Sequence, residues 1–140
     1  MPLFHEKQRY MRCGIHAINN LLQRKEFDVA SFDAICRELS PESSWQHQSI
    51  LGLGNYNVDI LTMALMKQVH AGGFTLSYFD KRKPLALLDL QATTGILCNA
   101  ASVSLMGLWH SRHWFAIRSI YGVYYNLDSK LPEPKVRLPS

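Results

Sequence analysis

A chain of 140 residues fits one domain, and with 47% hydrophobic and 19% charged residues it can bury a real core. That composition excludes a disordered tail, a collagen-like fibre and a highly charged nucleic-acid arm. The 15 Lys+Arg and 11 Asp+Glu leave a charge of +4, scattered over Lys7/Arg9/Arg12, Arg24/Lys25, Lys81/Arg82/Lys83 and Lys135/Arg137 with no run that reads as an RNA or DNA patch.

Residues 1–12 read as polar, short and extended, without the apolar core of a signal peptide. Ile15, Ile18, Leu21 and Leu22 recur at helical spacing with Ala17 between them, which predicts a helix from Cys13 to about Gln23. A second helix is predicted over Asp28–Leu39, capped by Ser31, with the stripe Phe32, Ile35, Cys36 and Leu39 and a stop at Pro41. Residues 41–55, with Pro41, Ser43, Ser44, Gly52 and Gly54, form a long loop. Asn57 is then placed to cap a third helix, Val58 to about Val69. It is apolar on most of its surface and therefore expected to be buried.

The second half changes character. Phe74–Phe79, Gly95–Cys98, His113–Arg118 and Val123–Leu127 read as strands, with a short helix over Lys83–Leu90 starting at Pro84. Helices first and strands second predict an α+β domain, its N-terminal helices packed on a mostly antiparallel sheet from the C-terminal half. The domain is expected over residues 1–131. The last ten residues, LPEPKVRLPS, hold three of the six prolines, and 132–140 are expected to be an unstructured tail. No apolar stretch is long enough for a membrane span.

Three cysteines are too few for a disulfide scaffold, and an odd number leaves one unpaired, so reduced cytosolic thiols are expected. Cys36 lies on a core stripe and Cys98 ends an apolar run. Cys13 alone follows polar residues and opens a helix, where free N–H groups and the dipole lower a thiol pKa and favour the thiolate. A thiolate nucleophile needs a base, and the base needs an orienting group. If His113–Arg118 and Val123–Asp128 form a hairpin with Ser119–Gly122 as its loop, paired positions sum to 241 and His113 lies opposite Asp128. Opposed residues share a face and reach hydrogen-bonding distance, whereas a one-residue slip separates them. Gln8, five residues before Cys13, is placed to join the Cys13 N–H in holding an oxyanion. The chain order Gln, Cys, His, Asp matches that of the corresponding roles in papain-like thiol peptidases.

Several motifs in order carry a closer likeness. His5-Glu6-Lys7-Gln8, Cys13, His16, Asn19-Asn20-Leu21, Leu53-Gly54-Asn55-Tyr56-Asn57-Val58, Asp80-Lys81-Arg82, Arg112-His113-Trp114 and Tyr124-Tyr125-Asn126-Leu127-Asp128-Ser129 resemble the Josephin family of deubiquitinating cysteine peptidases, closest to its small single-domain members. The resemblance implies a papain-like fold of Josephin type and cleavage of isopeptide or peptide bonds after the C-terminal glycine of ubiquitin. It implies Cys13 as nucleophile, His113 as general base, Asp128 as the third member and Gln8 in the oxyanion hole. Trp114 matches the aromatic that follows the histidine. Two departures stand out. The family domain usually continues with a further helix and strand, so this chain is expected to be a shortened form with an open sheet edge. Loop 41–55 is also too short for the helical arm that one branch of the family carries.

Cys13, His16 and His5 lack the paired ligands of a zinc site, and Gly52-Leu53-Gly54 lacks the rest of a nucleotide fingerprint, so no metal or cofactor is expected. The partners expected are ubiquitin and its conjugates, with no nucleic acid and no integral membrane association. The chain is expected to act as a monomer in the cytoplasm, with the nucleus left open. Trp45, Trp109 and His110 fall in predicted loops and are candidate ubiquitin contacts. The alternatives are a ubiquitin-binding module with weak or no turnover, and a thiol acyltransferase or peptidase for another substrate.

Overall fold

The computed structural model describes residues 3–7, 13–39, 58–67, 73–104 and 109–137. Three helices, α1 (Cys13–Leu22), α2 (Val29–Leu39) and α3 (Val58–Met66), precede four strands, β1 (Ile96–Ser104), β2 (Trp109–Ile120), β3 (Val123–Asn126) and β4 (Lys135–Arg137). The strands form one antiparallel sheet in the order β1-β2-β3-β4. The chain is α+β, with helices from the first half on a sheet from the second.

The core joins the two halves. Ile18 of α1, Phe32 of α2, Ile60 and Leu61 of α3, Ala116 of β2 and Leu127 are fully buried in one cluster. Each large side chain among them is worth about 1.5–3 kcal/mol of burial. Along β2, Trp114, Ala116 and Arg118 share a face. Ala116 is in the core, Trp114 packs against it, and the Arg118 guanidinium donates to the Leu21 carbonyl at the end of α1. Gly95 lets this helix end approach the sheet, because a Cβ there would collide with the Leu21 side chain and lie 2.9 Å from the Ile117 carbonyl oxygen.

All ten residues of α1 are buried, including His16, Asn19 and Asn20. Polar groups removed from water must find partners inside the protein, and the extended segment 3–7 supplies them. Asn20 accepts from the Glu6 N–H (2.6 Å) and donates to the Glu6 carbonyl (3.2 Å). Gln23 does the same for Phe4, at 3.0 and 3.1 Å. Two side-chain amides thus pair the backbone of alternate residues, much as a neighbouring strand would. The Glu6 carboxylate meets the His16 ring at Nδ1 and the Asn19 amide at 3.1 Å. The other side of Asn19 binds the turn after the helix, accepting from Glu26 and Phe27 N–H and donating to the Phe27 carbonyl.

Gln23 also ends α1. Its φ is 59°, and the bonds Arg24 N–H to Asn19 O and Gln23 N–H to Asn20 O form a Schellman cap. That left-handed position usually takes glycine. A glutamine stands there because its amide is needed at Phe4. The second helix is capped by Asp28 rather than Ser31: Asp28 Oδ1 accepts from the Ser31 N–H at 2.8 Å, and Ser31 Oγ returns the bond to the Asp28 N–H at 2.8 Å. This reciprocal pair is a capping box, and the Ser31 N–H holds the Asp28 carboxyl below its usual range.

Several sequence expectations are corrected. The 113–128 hairpin closes on two residues, Tyr121 and Gly122, with φ of 51° and 81°. Both are positive, as a type I′ turn requires. Ser119 and Ile120 therefore sit in the ladder, and paired positions follow Ile120↔Val123 and Ile117↔Asn126, two residues away from the expected register. Phe74–Phe79 belongs to no strand among the described residues, although Phe74 and Leu76 pack on the core. Its alternation records one buried face, not a pairing partner. Lys83–Leu90 yields only a 3-10 turn at Leu85–Leu87. The tail 132–140 is not unstructured throughout, since Lys135–Arg137 pairs with β3. That triplet has no proline to withhold an N–H, and its two cations suit an edge strand. The β3 edge expected to lie open is therefore covered. Trp109 and His110 open β2 rather than lying in a loop. Loop 41–55, the Asn57 cap, Trp45 and the end of the third helix beyond Lys67 lie outside the described residues.

Gly95→Ala is expected to cost about 1–3 kcal/mol through overpacking between α1 and β2, read as a lower urea midpoint at unchanged m-value. A second expectation concerns acid. Burial raises the Glu6 carboxyl, but the His16 ring, the Asn19 amide and the Lys25 charge outweigh it, so the group sits below its ordinary value. Stability from a depressed carboxyl is present above the unfolded-state pKa and is lost as pH falls through the folded-state value. Glu6→Gln should therefore be less stable than the parent by about 1.5–3 kcal/mol at pH 7, with the gap closing below about pH 4. Urea denaturation across pH 3–7 measures this, and a constant gap would contradict it.

Candidate active site

The ladder between β2 and β3 stops at Ile117↔Asn126, and only the Leu127 N–H continues it, donating to the Ala116 carbonyl at 2.8 Å. The backbone groups of Ala116 and Trp114 point to the same side of β2, because they are two residues apart. With β3 ended, the Trp114 N–H has no strand opposite it. It donates instead to Cys13 Sγ at 3.4 Å. The first residue of α1 thus takes the place that a longer β3 would have occupied. Cys13 is 3% exposed.

Past Leu127 the chain turns. The Asp128 N–H leaves the ladder for Asn126 Oδ1 at 3.0 Å, and Leu131 N–H closes a turn onto the Asp128 carbonyl at 3.0 Å. This carries the Asp128 carboxylate to His113, with Oδ1 2.6 Å from Nε2. The same oxygen accepts from the Lys130 N–H at 2.9 Å. His113 is 7% exposed, and its ring stacks on Phe115 two residues along the same face, 6.0 Å between centroids at 21°. An ionised carboxylate only accepts hydrogen bonds, so Nε2 carries the ring proton and Nδ1 keeps its lone pair. That tautomer suits a base.

The expected opposition of His113 and Asp128 is corrected in detail. In the observed register Asp128 falls diagonal to His113, not directly across. An error of two residues preserves the face, so the pair still meets. Cys13 is corrected in its electrostatics. Burial pushes its thiol above the ordinary value, despite the opposing pull of the Trp114 N–H, the Lys130 charge and the Gly14 and Cys13 N–H groups. The resting group is a thiol. Gln8 lies outside the described residues. Cys36 is fully buried in the core and Cys98 is half-buried, its thiol also raised by burial.

From sequence, His5 is assigned no catalytic role and Asn20 only a service to the backbone near the cleft. Asn20 Nδ2 donates to the Leu127 carbonyl at 2.9 Å, and His5 Nε2 donates to the Asp128 carbonyl at 2.8 Å. For Asn20 the available signal was an amide on a helix made mostly of apolar residues; for His5, in the segment before that helix, there was none. His16 meets the Glu6 carboxylate through Nδ1. Among the described residues no group of three or more His, Cys, Asp or Glu is placed to hold a metal, and no helix is long and apolar enough to cross a membrane.

The arrangement places a buried thiol at a helix start against the strand amide next to an imidazole, which a carboxylate orients. Such a set can run acyl transfer through a thioester. Comparison with known proteins agrees with the motif reading. The Josephin family model matches residues 8–137. Human Josephin-2 is 41% identical over 138 residues, covering 95% of this chain and 71% of the relative. A Josephin-like protein of Drosophila melanogaster is 37% identical over 95% of this chain and 62% of its own length. Human ataxin-3 is 24% identical over 96% of this chain and 38% of its own length. A match of this extent, reaching from the segment before Cys13 to the end of β4, establishes that the chain belongs to the Josephin family.

Proposed function

We propose that this protein is a thiol peptidase that cleaves isopeptide or peptide bonds after the C-terminal glycine of ubiquitin. The observation that carries the reading is the 2.6 Å contact of Asp128 with His113, beside the Trp114 amide that holds Cys13 Sγ. Family membership supplies the substrate class.

In this reading His113 Nδ1 takes the Cys13 proton as Sγ attacks the glycine carbonyl. The step begins from a thiol, since burial disfavours the free thiolate. The carbonyl oxygen gains the negative charge and is held by the Cys13 N–H at the start of α1, with Gln8 as a second donor. Collapse expels the amine, which takes the proton from His113, and leaves a thioester on Cys13. Water then gives a proton to His113 and attacks the thioester. The carboxylate of ubiquitin is released and Sγ recovers its proton. Asp128 stays ionised throughout and steadies the imidazolium. The reading extends to a monomer acting in the cytoplasm, with the nucleus open.

The near-complete burial of Cys13 favours one rival, a module that holds ubiquitin without turning it over. A ubiquitin probe with a C-terminal electrophile separates the two. The parent should gain the probe's mass at Cys13, Cys13→Ala should gain none, and His113→Ala should react slower by about 10²-fold or more. Ubiquitin binding without labelling selects the rival. Labelling that survives Cys13→Ala overturns the site assignment.

A further inference from the structure

Asp128 lies two residues beyond the last ladder pair, so the sheet does not fix it. Its neighbours do. The carbonyls on either side of its Cα–N and Cα–C bonds, Leu127 O and Asp128 O, accept from Asn20 and His5 respectively, at 2.9 and 2.8 Å. A carbonyl oxygen only accepts, so His5 Nε2 carries a proton and donates. Rotating either peptide group would swing the carboxylate away from His113.

Segment 3–7 does not need His5 to stay in place. Its backbone is already held at Phe4 and Glu6 by Gln23 and Asn20, and its Glu6 carboxylate by His16 and Asn19. Those contacts pin the residues on either side and leave the His5 side chain directed at Asp128.

We propose that His5 is a positioning residue: by holding the Asp128 carbonyl it sets the direction of the carboxylate, and through it the tautomer and orientation of His113. The proposal rests on the thiol peptidase reading for its kinetic consequence but not for its structural one. A mere anchor would lower stability when removed and leave the His113–Asp128 hydrogen bond as it was.

The test uses the full chain with His5→Ala, His5→Phe and His5→Gln. Glutamine restores an N–H at about the reach of Nε2, and phenylalanine keeps the ring without the donor. The first readout is the proton resonance of His113 Nε2–H, assigned by its loss in His113→Gln. It should shift or broaden in His5→Ala and His5→Phe and return toward the parent position in His5→Gln. The second is turnover of a fluorogenic amide of ubiquitin. Here kcat should fall about 10-fold in the first two variants with KM within about 2-fold, and recover to within about 3-fold in His5→Gln. If the parent shows no turnover, the peptidase reading fails and the resonance alone decides the role of His5. An unchanged resonance in a folded His5→Phe overturns the proposal, as does failure of His5→Gln to restore it. If none of the three variants folds, His5 is an anchor and the proposal is also overturned.

Discussion

The whole structure depends on the complete burial of α1. A helix with no face to solvent must satisfy its polar side chains from within, or pay the desolvation of each one. His16, Asn19 and Asn20 meet that demand by gripping Glu6 on one side and Phe27 and Leu127 on the other. The same grip makes α1 the common reference for distant parts of the chain. The thiol is its first residue, and Asn20, on its eighth, holds the peptide that leads into Asp128. Position along one rigid helix thereby sets where Cys13 lies relative to the turn that carries Asp128.

The second constraint is where β3 stops. A strand three residues longer would pair with the Trp114 amide, exclude Cys13 and keep Asp128 extended. The strand ends because Asn126 takes the Asp128 N–H with its own side chain and breaks the ladder. An asparagine competing with the sheet for a backbone donor is common local chemistry. Here it frees the Trp114 amide for Cys13 and lets the Asp128 carboxylate turn to His113, and β4 then covers the outer edge of β3 that the turn leaves behind.

Much of this was legible in the sequence. Helical spacing placed α1, α2 and α3, and the isolation of Cys13 at a helix start marked it among three thiols. The His113–Asp128 pairing survived a wrong hairpin register because side-chain direction in a strand repeats every two residues, and the error was even. Tyr121–Gly122 hid the true loop, since a tyrosine at φ 51° is not the asparagine or glycine that signals such a turn. The α1 asparagines were legible as serving the backbone near the cleft, but their partners were hidden for a different reason. A polar face on an amphipathic helix reads as solvated, and only the folded chain shows that residues 3–7 lie over it. The thiol's electrostatics were misread from local position alone, because burial by the rest of the fold outweighs the helix start. Strand β4 escaped because three prolines in ten residues dominated a triplet that contains none.

The clamp on Asp128 has a consequence for synthesis. It joins His5 to a turn made more than a hundred residues later. The Cys13 contact with Trp114 spans a similar separation. Contacts so distant along the chain are slow to form and come late. An emerging polypeptide that has made α1, α2 and α3 holds no carboxylate-oriented imidazole until β2 and the turn after β3 have also left the ribosome.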